Sequence, residues 1–278
     1  MAKNINYFWY IFTPLALLWF CASFYVVCYF GASTRGLALL LVAPVAVVGL
    51  YFSSKRTTAL ESQNKIDSNR LLAETFAKSI ELLGNEKEVV RQGAIYALGK
   101  LAGGNSEELT VIVNTLCAFI RHEQSFPDDK NDLKQRKFNK LSIDIEAAIK
   151  TIVKLSHNFE SNAGQDGMKY DLSNIYLPHA DFSHAQLFGF NMSDVHFQEC
   201  IFENVDFSNS NLIGSTFAKS SFKNANFNEL SEIMKVDFST TEGLGQEVIS
   251  IAQGDGETKL PEGITKPEMW NISDNNAP

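Results

Sequence analysis

The sequence predicts a multidomain α+β protein: a two-helix hydrophobic hairpin, an α-helical domain, and a repeat-built β domain closed by a helix and tail. Three observations carry this. No charged residue occurs between Asn4 and Thr34; apolar residues then follow helical spacing from about Thr57 to Ser156; and from Leu172 onward an apolar residue returns at every fifth position. The boundaries are 1–56 for the hairpin, 57–160 for the helical domain, 161–240 for the repeats and 241–278 for the cap.

Tyr7 to Phe30 is a run of 24 uncharged, mostly apolar residues, about 36 Å long as a helix and enough to span a hydrocarbon core of about 30 Å. Gly31-Ala32-Ser33-Thr34-Arg35-Gly36 reads as a tight loop, and Leu37 to Phe52 as a second span kinked at Pro44. Lys3, Lys55, Arg56, Lys65 and Arg70 lie on one side of this hairpin and only Arg35 on the other. That asymmetry places both termini in the cytoplasm, with the bilayer as the first partner. Gly49, Ala43 and Ala46 would also let copies pack closely as a homo-oligomer.

In the helical domain, Gly84, Gly103, Gly104 and Pro127 separate four apolar stripes, which begin at Leu71, Val89, Val111 and Asp144. Val90-Arg91-Gln92-Gly93-Ala94-Ile95-Tyr96-Ala97-Leu98-Gly99 resembles a HEAT-type repeat, with Asp144-Ile145-Glu146-Ala147-Ala148-Ile149 as a degenerate second copy. Small Gly93, Ala94 and Ala97 are expected at a close helix contact, and Arg91 in an internal ion pair or cap. Lys134, Arg136, Lys137 and Lys140 form a basic cluster. It is a candidate lipid contact, set against a solvated face balanced by Asp128, Asp129 and Asp132.

Leu172, Leu177, Phe182, Leu187, Met192, Phe197, Phe202, Phe207, Leu212, Phe217, Phe222 and Phe227 recur without interruption, and a mostly small residue stands two places before each. With Ala180-Asp181-Phe182-Ser183-His184 and Ala225-Asn226-Phe227-Asn228-Glu229 this resembles the pentapeptide-repeat proteins of bacteria, including those with two membrane helices and a helical domain. The resemblance implies a right-handed quadrilateral β-helix with four pentapeptides per coil. Its core columns would be Phe182, Phe202 and Phe222; Phe197 and Phe217; and Phe207 and Phe227. Three coils are about 15 Å long at about 4.8 Å each. Glu229 to Lys235 reads as an out-of-phase insertion before Val236-Asp237-Phe238-Ser239 restarts the motif. Gly243 to Gln253 reads as a capping helix using Leu244, Val248, Ile249 and Ile251. The tail after it reads as a strap along the solenoid, frayed from Asn271.

Charge and motif content bound the function. Residues 161–278 hold 17 acidic and 6 basic groups, a balance of 6 − 17 = −11, whereas the first 160 hold 18 basic and 15 acidic. No segment supplies the dense basic stripe that binds phosphate backbones, so nucleic acid is not an expected partner. Cys21, Cys28, Cys117 and Cys200 form no metal-ligand spacing, and no nucleophile–base set or phosphate-binding glycine loop is present. No enzyme activity, metal or cofactor is expected. The acidic side chains Asp181, Asp194, Glu199, Glu203 and Asp206 are the candidate surface for an unidentified cytosolic protein. The competing expectation is an oligomerising, pore-forming effector of the antiphage type. A DNA mimic acting on a topoisomerase ranks below both, since residues 170–229 carry only 7 acidic groups against 2 basic ones.

Overall fold

The computed structural model describes residues 21, 24–25, 28–29, 34–102, 106–125, 140–159, 169–228 and 230–271. Two compact units divide at Leu71/Leu72. Tyr7 to Phe30 lies almost entirely outside the described residues, apart from helical, exposed Cys21, Phe24, Tyr25, Cys28 and Tyr29. Among the described residues no helix is long and apolar enough to cross a membrane.

Helix α1 (Thr34–Leu83) runs unbroken for 50 residues. The sequence placed Thr34, Arg35 and Gly36 in a loop and started a separate helical domain near Thr57; all of these residues belong to this one helix. Between them no Gly-Asn or Gly-Pro signal ends the helix, and the polar stretch after Phe52 keeps helical hydrogen bonding, with Thr57 and Thr58 hydroxyls donating back to the carbonyls of Ser53 and Ser54. Gly84 then stops it.

In the second unit, α2 (Glu88–Leu101), α3 (Ser106–Gln124) and α4 (Ile143–Ser156) pack on one another. Ile95, Leu98, Val113, Leu116, Ile120, Ile145, Ile149 and Ile152 are all buried there. Of the small residues in α2, Ala94 is buried, but Gly93 points to solvent and a Cβ on it would meet nothing within 4 Å. The close contact falls at Gly99 instead, where a Cβ would come 2.7 Å from Thr151 Cγ2 on α4. Asp144, fully buried, receives the Arg91 Nε–H at 2.5 Å, and Arg91 Nη1 donates to the carbonyls of Asn85 at 2.9 Å and Glu86 at 3.2 Å. The guanidinium thus pins the α1–α2 turn to α4.

The repeat segment is a stack of coils whose backbones pair in parallel at a spacing of 20 residues. Strands β1 (Tyr170–Asp171) and β3 (Phe190–Asn191) pair, as do β2 (Tyr176–Pro178), β4 (His196–Gln198) and β5 (Thr216–Ala218) in order. All twelve five-spaced residues are at most 1% exposed. Phenylalanines stack between coils, Phe182 on Phe202 at 5.4 Å, Phe202 on Phe222 at 5.1 Å, Phe197 on Phe217 at 4.8 Å and Phe207 on Phe227 at 5.0 Å between ring centroids. Full burial of such rings contributes about 1.5–3 kcal/mol each before the cost of ordering them. Ser215 and Ser220 fit the small series because their hydroxyls serve the backbone: Ser215 Oγ donates to the Met192 carbonyl at 2.6 Å and accepts the Val195 N–H at 3.0 Å.

The stack continues past the sequence repeat. Asp206 pairs with Asn226, but Asn211 pairs with Glu232 and Thr216 with Asp237, so the register lengthens by one residue, from 20 to 21. The segment read as an out-of-phase insertion therefore adds a single residue. Ile233, fully buried, extends the Leu172–Met192–Leu212 column, and Phe238 stacks on Phe217 at 5.1 Å. The tail differs from the expected strap as well: Gln253 pairs with Glu232 and Lys259 with Asp237, which lays it on the end of the stack as a further partial coil. Helix α5 (Gln246–Ile251) precedes it and buries Ile249, while Ile251 is 52% exposed. Trp270, in the 3-10 turn Glu268–Asn271, is 2% exposed and donates its Nε1–H to the Ala252 carbonyl at 3.2 Å. Residues 272–278 lie outside the described set.

At the opposite end, α3 and α4 lie against the first coil. Ser156 Oγ accepts the Gln186 N–H at 2.9 Å, Arg121 pairs with Asp171, and Phe159 stacks on Tyr170 at 4.8 Å. Tyr170 and Phe190, too large for the small series, form an aromatic cluster with Phe159. Both open ends of the stack are thereby covered.

Candidate functional site

The outer surface of the solenoid follows from its corners. Two residues after the core positions from Leu172 to Phe222, and again after Ile233, the backbone turns with positive φ, between +53° and +72° at Asn174, His179, His184, Gly189, Asp194, Glu199, Asn204, Asn209, Gly214, Lys219, Asn224 and Lys235. Asn, Asp, His and Gly tolerate this left-handed conformation best, which explains why His179 and His184 share a register. One residue before the core position, Asp or Asn side chains cap the turn that follows: Asp181 Oδ1 accepts the Ser183 N–H at 2.9 Å, Asp206 Oδ1 the Ser208 N–H at 3.0 Å, and Asn211 Oδ1 the Ile213 N–H at 2.9 Å.

Equivalent positions in successive coils stack into ladders. His179, Glu199 and Lys219 form one, with Glu199 3.4 Å from His179 Nδ1 and 3.8 Å from Lys219 Nζ. Asn204 and Asn224 form another at 3.1 Å, and Asp206 with Asn226 a third at 3.2 Å. Asp171 is held below the usual carboxylate range: burial pushes it up, but hydrogen bonds from Ser173, the Arg121 guanidinium and the Asn191 amide outweigh that. Burial drives His196 down from its ordinary value, only partly offset by Asp194.

The five acidic candidates fall at three places. Asp181 and Glu203 stand on one side and Asp206 on the next, beyond the Asn204 corner, and Glu203 accepts from Ser221 at 3.3 Å. Asp194 stands exposed at a different corner, beneath Gly214. Glu199 is committed to the His179–Lys219 ladder. Of the basic candidates, Lys134, Arg136 and Lys137 lie outside the described residues, and Lys140 is exposed before α4. Among the described residues no group of three or more His, Cys, Asp or Glu could hold a metal ion. The second unit also holds an open groove of about 420 Å³ that the sequence did not indicate, lined by Ile80, Leu83, Arg91, Phe119, His122 and Glu123 among others. Only the tertiary packing of α1 on α3 creates it.

A four-sided stack of five-residue sides, with left-handed corners and inward phenylalanine columns, defines a parallel β-helix protein. Residues 191–228 match the family model of pentapeptide repeats in eight copies, and the chain carries that repeat. No curated protein matches the chain. Among solved structures it is similar to a pentapeptide repeat protein (Rfr23) from the cyanobacterium Cyanothece 51142, at 15% identity and a TM-score of 0.15, over 32% of this chain and 65% of that one. It is also similar to QnrB1, a plasmid-mediated fluoroquinolone resistance protein, at 16% identity and a TM-score of 0.17, over 35% of this chain and 73% of that one. The chain thus spans just under two thirds of the first of these.

Proposed function

We propose that the protein is a non-enzymatic, membrane-anchored interaction scaffold at the cytoplasmic face of a bacterial inner membrane. The apolar run before Thr34 and the start of α1 form the anchor, with both termini in the cytoplasm. The helical unit is HEAT-like, its basic Lys134, Arg136, Lys137 and Lys140 lie toward anionic lipid, and the solenoid presents Asp181, Glu203 and Asp206 to a basic surface on a cytosolic protein. The observation that carries this reading is the fixed placement of the outer side chains: the corners are left-handed, Asp181 and Asp206 cap turns and Glu203 is held by Ser221, all over a close-packed aromatic stack. Little conformational entropy is then lost when such a surface binds.

The test is co-purification of the full chain from its host in mild detergent, wild type against the triple variant Asp181→Lys, Glu203→Lys and Asp206→Lys. Loss of a reproducible partner from the variant, with its circular dichroism unchanged, supports the scaffold; an unchanged set of partners removes this surface from consideration.

A second reading has one observation in its favour. The apolar run Leu37–Phe52 and the polar stretch after it share the continuous helix α1, so a signal at the cytosolic part has a helical path toward an oligomerising, pore-forming segment. Ion leakage from vesicles containing the purified chain is its test. Topoisomerase inhibition by DNA mimicry ranks third, because the solenoid's outer acids are divided among separate corners and partly neutralised by Lys219.

A further inference from the structure

The last rung of the stack lacks the side chain that its register calls for. Glu232 pairs with Gln253, so the residue after Gln253 takes the place above Ile233 in the column that runs from Leu172 through Met192 and Leu212. That residue is Gly254. The space is filled from further along the chain: a Cβ on Gly254 would come 2.5 Å from Cε2 and Cζ2 of Trp270, whose side chain is buried and donates its Nε1–H to the Ala252 carbonyl at 3.2 Å. Glycine at 254 and tryptophan at 270 thus form a socket and its plug.

The segment that carries the plug is lightly held. From Glu262 to Trp270 no residue other than Trp270 is buried. Gln246 clasps it at Thr265, accepting the Thr265 N–H at 2.9 Å and donating to its carbonyl at 3.0 Å, and Lys266 Nζ donates to the Gly256 carbonyl at 2.5 Å; all of these bonds are exposed. Gly263, at φ +88° and with nothing within 4 Å of a Cβ, gives the segment a pivot. Few buried contacts and exposed hydrogen bonds mark a segment that opens locally while the rest stays folded.

We propose that residues 262–270 are a hinged plug, and that the socket over Ile233 and Gly254 is a binding site for the tryptophan of an extended peptide, held shut in cis by Trp270. Such a peptide and the plug compete for one place, so the chain's own tryptophan lowers the apparent affinity of the competitor in proportion to the time the plug is closed. The indole is selected twice: its flat ring lies against the bare backbone of Gly254, and its N–H reaches the Ala252 carbonyl, for which a phenylalanine has no donor. The site uses neither the membrane segment nor the acidic residues of the proposed partner surface.

Capture of a labelled peptide with the sequence of residues 260–271 by the full chain in mild detergent tests this. The Trp270→Ala chain is expected to capture it, and the wild-type chain to do so at least about tenfold more weakly. Gln246→Ala, which removes the clasp, is expected to raise capture by the otherwise wild-type chain about tenfold. The same peptide with Trp270→Ala should not bind, and adding Gly254→Ala to the Trp270→Ala chain should abolish capture by filling the socket with a methyl. The proposal is overturned by a folded Trp270→Ala chain that takes up no peptide, by equal uptake of the peptide without tryptophan, or by capture that survives Gly254→Ala. Hydrogen exchange of the wild-type chain tests the opening without any substitution. The Trp270 indole N–H is expected to exchange together with the Thr265 amide and well ahead of the Phe202 amide, which donates to Ser221 inside the stack; an indole that exchanges only with Phe202 overturns the hinged plug.

Discussion

Gly214 stands directly over Asp194, one coil apart, and a Cβ on residue 214 would come within 2.3 Å of the Asp194 carboxylate oxygen. Its φ of +72° adds a second demand for glycine at the same place. Gly214→Ala is therefore expected to destabilise the protein by about 1–3 kcal/mol. Asp194→Gly in the same chain removes the clash and leaves the dihedral cost, so the double variant should recover part of the loss. Urea unfolding of the single and double variants checks this; equal stability of the two would show that the collision has no energetic weight.

The glycines of α2 give a paired prediction. Gly99→Ala drives a methyl against Thr151 and is expected to cost about 1–3 kcal/mol. Gly93→Ala adds a methyl in open space and is expected to raise stability by up to about 1 kcal/mol. Thermal unfolding should move in opposite directions for two substitutions six residues apart on one helix. The same contrast shows where sequence reading stops: Gly93 and Gly99 are alike in the repeat-like motif, and only the position of Thr151 tells which one is needed.

Phe202 touches Phe182 below, Phe222 above, and Phe197, Phe207 and Phe217 beside it. Phe202→Ala is expected to cost about 3–5 kcal/mol. Phe202→Leu retains most of the volume and should cost less than half as much. Denaturant midpoints would rank them, and near-equal losses would mean that ring stacking itself, and not filled space, carries the column.

Three turn-capping carboxylates make the solenoid acid-sensitive. At Asp171, Asp237 and Asp255 burial pushes the carboxyl up, but it is outweighed at Asp171 by hydrogen bonds from Ser173 and the Arg121 cation, at Asp237 by hydrogen bonds from Ser239 and Lys259, and at Asp255 by hydrogen bonds from the Lys235 N–H and Thr258, so all three sit below the usual range. A folded-state value below the unfolded value of about 3.9 contributes stability that is complete above that pH and is lost as pH falls through the lower, folded values. From these groups the unfolding free energy should stay level between pH 7 and 5 and decline below about pH 4. Asp171→Asn should flatten that decline while lowering the plateau.

Cys117 and Cys200 are buried, and burial pushes both thiols up, Cys200 to about 12. Neither should react with iodoacetamide at pH 8 until the fold opens. Labelling of these two should follow urea unfolding; fast reaction of Cys200 in native buffer would show that the solenoid interior opens, and of Cys117 that the helical packing does.

The period of five was legible from Leu172 to Phe227 because each side of the coil imposes the same alternation of inward, capping and corner residues. Beyond Phe227 one added residue broke the period: Phe238 was still legible as a restart of the motif, whereas Ile233, which holds its column, was not. The acidic surface was legible as composition but not as geometry: Glu199 is tied to Lys219 and Asp206 to Asn226, pairings that depend on which residues lie 20 places away in the next coil. Arg91 could be assigned to an internal ion pair from its setting, whereas its partner Asp144, 53 residues on, could not.

The lengthened register also fixes where the chain can safely be cut. The recognisable repeat stops at residue 228, yet the backbone of Leu212 donates to Glu232, Phe217 to Asp237 and Phe222 to Glu242. A fragment trimmed at the end of the readable motif would be sawn through living wood: these donors, and Gly214 with them, would lose their acceptors and the Phe217, Phe222 and Phe227 rings would face water, offering a sticky template to any neighbouring strand. The last turn of this protein is written in a different dialect from the others, and it is the one whose Phe238 covers the Phe217, Phe222 and Phe227 rings.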